Sequence, residues 1–289
     1  MLLNLAAGDY RLELAPGLGG SIMRFDWRGM PLFRTARGLS ILDVACFPLV
    51  PFSNRIAHGR FMAGDREVRL DPNFPGSDHP HTLHGFGWLS EWAVIAAQPH
   101  SAILKYSHVP GNWPWPYRSR QMIELGEEGL RMALSVVNLG DSPMPAGLGF
   151  HPFLPCNAAT VYRGLHRAEW QTDAECIPVT CDRHPDAFDW WDGKPVQSRH
   201  VDTAYADREG PLWVVWPDRG VGLLIEPSAD LGTTVVFVPP GGDFFCVEPV
   251  SHVTDAHNRS QGSELRWLAP GEAMTVELKA SARSLDQEA

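Results

Sequence analysis

The stretch Leu212-Trp213-Val214-Val215-Trp216-Pro217-Asp218-Arg219-Gly220-Val221-Gly222-Leu223-Leu224-Ile225 decides the fold class. Two runs rich in β-branched and aromatic side chains, each about the length of one strand, flank a Pro-Asp-Arg-Gly turn whose glycine supplies the positive φ that such loops need. The same texture recurs at Ala133-Leu134-Ser135-Val136-Val137 and at Thr233-Thr234-Val235-Val236-Phe237-Val238, and nothing along the chain sustains a helical period. With 27 Gly and 25 Pro as punctuation, the pattern predicts an all-β chain folded as a large antiparallel sandwich.

Working outward, the Pro/Gly-rich segments Asp71-Pro72-Asn73-Phe74-Pro75-Gly76 and Val109-Pro110-Gly111-Asn112-Trp113-Pro114-Trp115-Pro116-Tyr117 carry aromatics and read as packed loops rather than tethers. No low-complexity or charged block divides the chain, so one domain over residues 1–289 is expected, with a frayed acidic tail at Asp286-Gln287-Glu288-Ala289. A net charge of -10, with 34 acidic against 24 basic residues, excludes a nucleic-acid partner and favours a neutral small ligand. The N-terminus lacks a basic leader segment, and no run of about 20 apolar residues exists to span a bilayer. Five scattered cysteines, an odd number, read as reduced thiols of a cytoplasmic protein. Cys176 and Cys181 have no second closely spaced pair to complete a zinc site.

Four polar constellations place His, Arg or Glu among Gly, Pro and aromatics at the ends of expected strands: Pro51-Phe52-Ser53-Asn54-Arg55-Ile56, His79-Pro80-His81-Thr82-Leu83-His84-Gly85, Gly147-Leu148-Gly149-Phe150-His151-Pro152-Phe153 and Phe244-Phe245-Cys246-Val247-Glu248-Pro249. Glu248 and His151 both follow apolar runs and precede a proline, which biases each to extended backbone and predicts desolvation of an ionisable group. The same residues also suit a surface carboxylate and a hydrogen-bonded core imidazole. The guanidinium of Arg55 offers forked donors for hydroxyls, or equally a surface ion pair. His79, His81 and His84 have a spacing that a metal can use, but Pro80 splits the first pair and no carboxylate follows at a recognised spacing, so no metal is expected. Trp88, Trp92, Trp113 and Trp115 suit either a sugar platform or, for most of them, the core.

In order and spacing these motifs resemble the aldose 1-epimerase (galactose mutarotase) family. Asn54-Arg55-Ile56 with Gly59-Arg60-Phe61 is similar to its N-R-I-x-x-G-x-F signature, Leu83-His84-Gly85 to its L-H-G, His151-Pro152-Phe153 to its H-P-Y-F, and Glu248-Pro249 to its E-P. The match runs from about Asn54 to Asn258. The resemblance implies a galactose-mutarotase-like β-supersandwich with Glu248 as catalytic base and His151 as acid. It further implies Arg55, with Asn54 of the same motif, and His84 as sugar ligands, and it aligns Asp202, in Val201-Asp202-Thr203-Ala204-Tyr205, with a sugar-binding aspartate. Phe86-Gly87-Trp88 after Gly85, Leu154-Pro155 after the histidine motif and Val250 after the glutamate motif depart from the family pattern, as does the shorter chain. They point away from strict galactose specificity and toward a divergent bacterial branch.

The implied reaction interconverts the α and β anomers of a free aldose: one group takes the C1 hydroxyl proton while another protonates the ring oxygen. The ring opens, C1 turns, and closure reverses the roles. An ionised Glu248 beside a protonated His151 is the expected arrangement, and no cofactor is required, in keeping with the lack of a dinucleotide or Walker fingerprint. Three rival readings share the fold. A hexose-6-phosphate epimerase would hold phosphate with Arg60, Arg66 and Arg69, or with Arg118 and Arg120. A glycosidase would pair Asp202 with Glu248. A binding module would keep the groove without the catalysis. The sequence leaves the oligomeric state open.

Overall fold

The computed structural model describes residues 1–260 and 264–285, so the acidic tail expected to fray lies outside the described residues. The opening hairpin forms as its sequence dictates. Leu212–Trp216 pairs antiparallel with Val221–Pro227, and the turn is a short 3-10 segment closed by Gly220, whose φ is 62°. Thr233–Val238 is a strand, and the run from Ala133 to Val137 lies inside the longer strand Gly129–Asn138. No helix among the described residues exceeds a three-residue 3-10 turn, and none is long and apolar enough to cross a membrane.

Two antiparallel sheets dominate. The larger has eleven strands, and its middle runs Cys46–Leu49, Gly149–Pro155, Phe244–Val250, Thr233–Val238, Val201–Arg208. The smaller has eight and includes Tyr117–Gly126, Gly129–Asn138, Ala273–Ser284 and the opening hairpin. Strand alternation sends successive side chains to opposite faces. Phe150, Leu154, Phe245, Val247 and Val236 join Met132, Leu223 and Val276 of the smaller sheet in the main buried core. Phe47, Phe153, Val235, Cys246 and Ala204 form a second cluster on the other face of the large sheet. All four tryptophans weighed as sugar platforms are buried packing residues, Trp113 and Trp115 meeting edge to face at 5.0 Å.

The functional residues sit with the second cluster. The register that pairs Gly149 with Val250 and Phe153 with Cys246 puts His151 opposite Glu248. Phe47 lies across from His151 on one side and Val235 across from Glu248 on the other. One row over, Cys246 faces Phe237, which faces Asp202. His151 and Glu248 therefore lie in the middle of two central strands, not at strand ends as the sequence suggested. Pro152 and Pro249 lack an N–H to donate, and the ladder between these strands is open between the Gly149 and Phe153 pairs.

Candidate active site

His151 Nε2 lies 3.2 Å from Glu248 Oε1, and both side chains are almost fully buried. Phe47 and Phe153 flank the imidazole at ring-centroid distances of 4.4 and 4.7 Å. Among the described residues, the other polar atom of each group, His151 Nδ1 and Glu248 Oε2, has no hydrogen-bond partner. The pair is thus held by apolar packing and by its own contact, with capacity left over.

Asn54, Arg55 and His84 come from an irregular segment beside the sheet. Arg55–Ile56 is a two-residue strand that pairs with Thr82–Leu83, bringing His84 next to Asn54. Both Asn54 (φ 54°) and His84 (φ 59°) take left-handed backbone, and the glycine after them is obligatory: a Cβ on Gly85 would meet the Val50 carbonyl oxygen at 2.2 Å. The segment owes its shape to side-chain acceptors rather than to a ladder. The backbone N–H groups of Ser53, Asn54, Arg55, Ala57 and His58 donate respectively to His252 Nε2, His84 Nδ1, Asn54 Oδ1, Asp255 Oδ1 and His81 Nδ1. Because His84 Nδ1 accepts, its neutral ring carries the proton on Nε2 and presents a donor.

Arg55 is anchored rather than free. Its guanidinium donates to Asp202 Oδ2 at 2.8 Å and to Oδ1 at 3.5 Å, and to Asn54 Oδ1 at 3.0 Å. Burial works against its charge, but the Asp202 carboxylate overrides this and raises its pKa. Asp202 keeps about a quarter of its side chain exposed, so hydroxyls can still reach it.

Burial acts on the protonation of the dyad, and it opposes the charges of the expected ion pair. Desolvation pushes the Glu248 carboxyl well above its ordinary value, and the nearby Asp202 charge adds to this against the pull of Arg55. Desolvation likewise pushes His151 down to about 3, with Arg34 acting in the same direction. Opposite charges do favour each other, but each water shell lost on burial outweighs that attraction. Burial thus favours the uncharged form of each member, imidazole and carboxylic acid. His84 is also lowered well below its usual value, by burial first and then by His151 and Arg55, and stays neutral.

Glu248, His151, Arg55, Asn54, His84 and Asp202 all line one pocket of about 190 Å³. Its walls add Phe74, Phe237 and His79, for which sequence reasoning assigned no sugar-contact role. His79 was visible only as part of a metal spacing, and the phenylalanines carried no signal beyond hydrophobicity. The three histidines of that spacing diverge: His84 holds Asn54, His81 holds His58, and His79 faces the pocket beside Phe74. None of Arg60, Arg66, Arg69, Arg118 and Arg120, the arginines considered for a phosphate, lines it.

Comparisons with known proteins agree with the fold. The uncharacterised protein YphB of Escherichia coli (strain K12) is 32% identical over 287 residues, 96% of this chain and 97% of that one. A candidate aldose 1-epimerase of the same organism, known from its crystal structure, superposes with a TM-score of 0.90 at 31% identity, covering 99% of both chains. A galactose mutarotase-like protein from Clostridium acetobutylicum shares the fold at a TM-score of 0.85 and 19% identity, over 98% of this chain and 95% of that one. A model built for one family, described as aldose 1-epimerase, matches residues 14–281. With the supersandwich in place and that match spanning nearly all of it, the chain belongs to the aldose 1-epimerase family.

Proposed function

We propose that this protein is a mutarotase that interconverts the α and β anomers of a free, unphosphorylated aldose in the cytoplasm. The observation that carries the reading is the His151–Glu248 contact of 3.2 Å in a pocket otherwise lined by hydrogen-bonding and aromatic groups. A dyad that holds one proton has one to give and one vacant lone pair to receive, which is what ring opening and its reversal require. As sugar hydroxyls replace the lost water shell of the carboxylate, the proton passes to His151. Glu248 then accepts the C1 hydroxyl proton while His151 Nε2 protonates the ring oxygen. Arg55, Asn54, Asp202 and the His84 Nε2 donor hold the remaining hydroxyls, and Phe74 and Phe237 offer apolar faces to the ring. The steps use side chains alone.

Two features weigh against the rivals. Among the described residues Arg55 is the only arginine lining the pocket, and it is committed to Asp202 and Asn54 rather than free for a 6-phosphate. Asp202, occupied by that bidentate pair, is a poor second carboxylate for glycoside cleavage. Anomer exchange of glucose, galactose, arabinose and glucose 6-phosphate, followed side by side by NMR saturation transfer, tests the assignment. Acceleration of one or more free sugars is expected. A large preference for the phosphate, or exchange of every sugar at its spontaneous rate, would overturn it.

A further inference from the structure

Cys246 has no part in the proton transfers, yet it stands two residues before Glu248 on the same face of the same strand, directly across from Phe153 and Phe237. One ligand atom each from His151, Cys246 and Glu248 lies within 4.8 Å of the other two, and all three residues are buried. We propose that these three side chains form a binding site for a borderline-soft divalent cation, with zinc as the best fit, and that its occupancy shuts down the pocket.

Donor chemistry, geometry and charge each support this. One thiolate, one imidazole and one carboxylate are a donor set that zinc accepts and that magnesium and calcium, which prefer oxygen alone, do not. Zinc–ligand bonds of about 2.0–2.3 Å require donor atoms somewhat closer together than this limit, within reach of side-chain rotations of about 1 Å. His151 Nδ1 is tied to no acceptor among the described residues, so the ring can carry its proton there and leave Nε2 to the metal. The other cluster of suitable residues, His58, His81 and Glu175, fails on this point. His81 Nδ1 accepts the His58 N–H, which fixes the proton on the nitrogen that would have to bind. His84 is excluded as a fourth ligand in the same way, and two of the three ligands, His151 and Glu248, line the pocket.

Charge closes the argument. The cation displaces one proton from the Glu248 carboxyl and one from the Cys246 thiol, and two anions with one dication make a neutral complex. A buried site resists a lone charge but not a neutral set. The metal takes the lone pairs that the sugar reaction uses, so it acts as an inhibitor, and the reaction itself remains metal-independent. The inhibition rests on the mutarotase reading; the binding does not.

The test uses the full chain stripped with a chelator. One equivalent of Zn2+, measured by competition with a chromophoric chelator, should bind, and Co2+ in its place should show thiolate-to-metal charge-transfer absorption. Saturating free sugar should weaken binding, Mg2+ should have no effect, and chelator should restore anomer exchange. Cys246→Ser, which keeps the size of the side chain, should weaken Zn2+ by about 100-fold or more, since even outer partners of a metal site are worth 10–100-fold. The double change Cys176→Ser and Cys181→Ser should leave binding intact. Absence of one-equivalent binding, or binding and inhibition unchanged in Cys246→Ser, would overturn the proposal; should Cys246→Ser not fold, absence of the cobalt–thiolate band in the parent protein would do so. Zinc binding in a protein that exchanges no anomers would leave this site standing and remove the mutarotase assignment instead.

Discussion

At the scale of single residues, the dyad is a shared proton in a dry place. Replacing Glu248 by Gln keeps the size and much of the hydrogen bonding but removes the acceptor, so anomer exchange should fall by roughly 10²-fold or more with the melting temperature little changed. His151→Asn should behave likewise. The double variant should lose little beyond either single one, because acid and base act in one step. A folded Glu248→Gln that matched the parent would remove the mechanism. The same burial fixes the pH dependence. Burial raises Glu248 and lowers His151 to about 3, and both directions favour the uncharged, singly protonated pair. The exchange rate should therefore be flat through neutral pH, losing activity on the alkaline side as the pair gives up that proton and on the acid side only far below the ordinary imidazole range. An acid limb near about 6.5, the value of an exposed histidine, would show that His151 titrates in water.

At the scale of elements, the strands were legible and the segment that shapes the site was not. Runs rich in β-branched and aromatic residues, each of strand length, marked Leu212–Trp216 and Thr233–Val238, the second of them buried on both faces. The six residues singled out by motif resemblance, two as catalytic and four as sugar-binding, all line one pocket. Two things escaped. Prolines after His151 and Glu248 suggested strand ends, whereas the large sheet accepts them where its ladder is open. The segment from Ser53 to His58 depends on acceptors distant in the chain, such as His252, 199 residues from Ser53, and no local pattern announces such a partner. His252 is fully buried, its neutrality secured by desolvation that lowers it to about 4, and Gly147 packs so closely on it that a Cβ there would sit 1.9 Å from the ring. His252→Ala leaves the Ser53 N–H without its acceptor, a loss of about 1–3 kcal/mol in stability. It should also raise KM more than it lowers kcat, because the segment carrying Arg55 loosens while the dyad stays. Chemical denaturation and steady-state kinetics on the same sample check both; an unchanged KM would mean that Arg55 holds its place without this contact.

At the scale of the whole molecule, the titration of the interior has a direction. His84, His151, His166, His252 and His257 are all lowered by burial, to about 3 for His151 and His166 and about 4 for His252. Above the ordinary imidazole value these groups are neutral in both folded and unfolded chains and contribute nothing to the pH dependence. As pH falls below about 6.5 the unfolded chain takes up protons that the fold refuses, so stability declines until the folded values are reached. Glu248 and Asp255, both raised by burial, act with the opposite sign as pH rises. His79, His81 and His108 are lowered by burial as well, and eight histidines against two carboxyls should leave a net loss on acidification: the calorimetric melting temperature should drop by several degrees between about pH 7 and pH 5, with net proton uptake on unfolding. A flat midpoint over that window would mean that these rings reach water in the folded state.

The two faces of the large sheet carry a further consequence, for inheritance. Along Gly149–Pro155 the odd-numbered positions His151 and Phe153 belong to the pocket side and the even-numbered Phe150 and Leu154 to the main core; along Phe244–Val250 the parity is reversed. The proposed sugar contacts and structural integrity are thus written in alternate letters of the same words. A lineage can rewrite one set, Phe237 or Asp202 for example, while copying the other unchanged, so new substrates are open to it by single steps that never touch the interior holding the two sheets together.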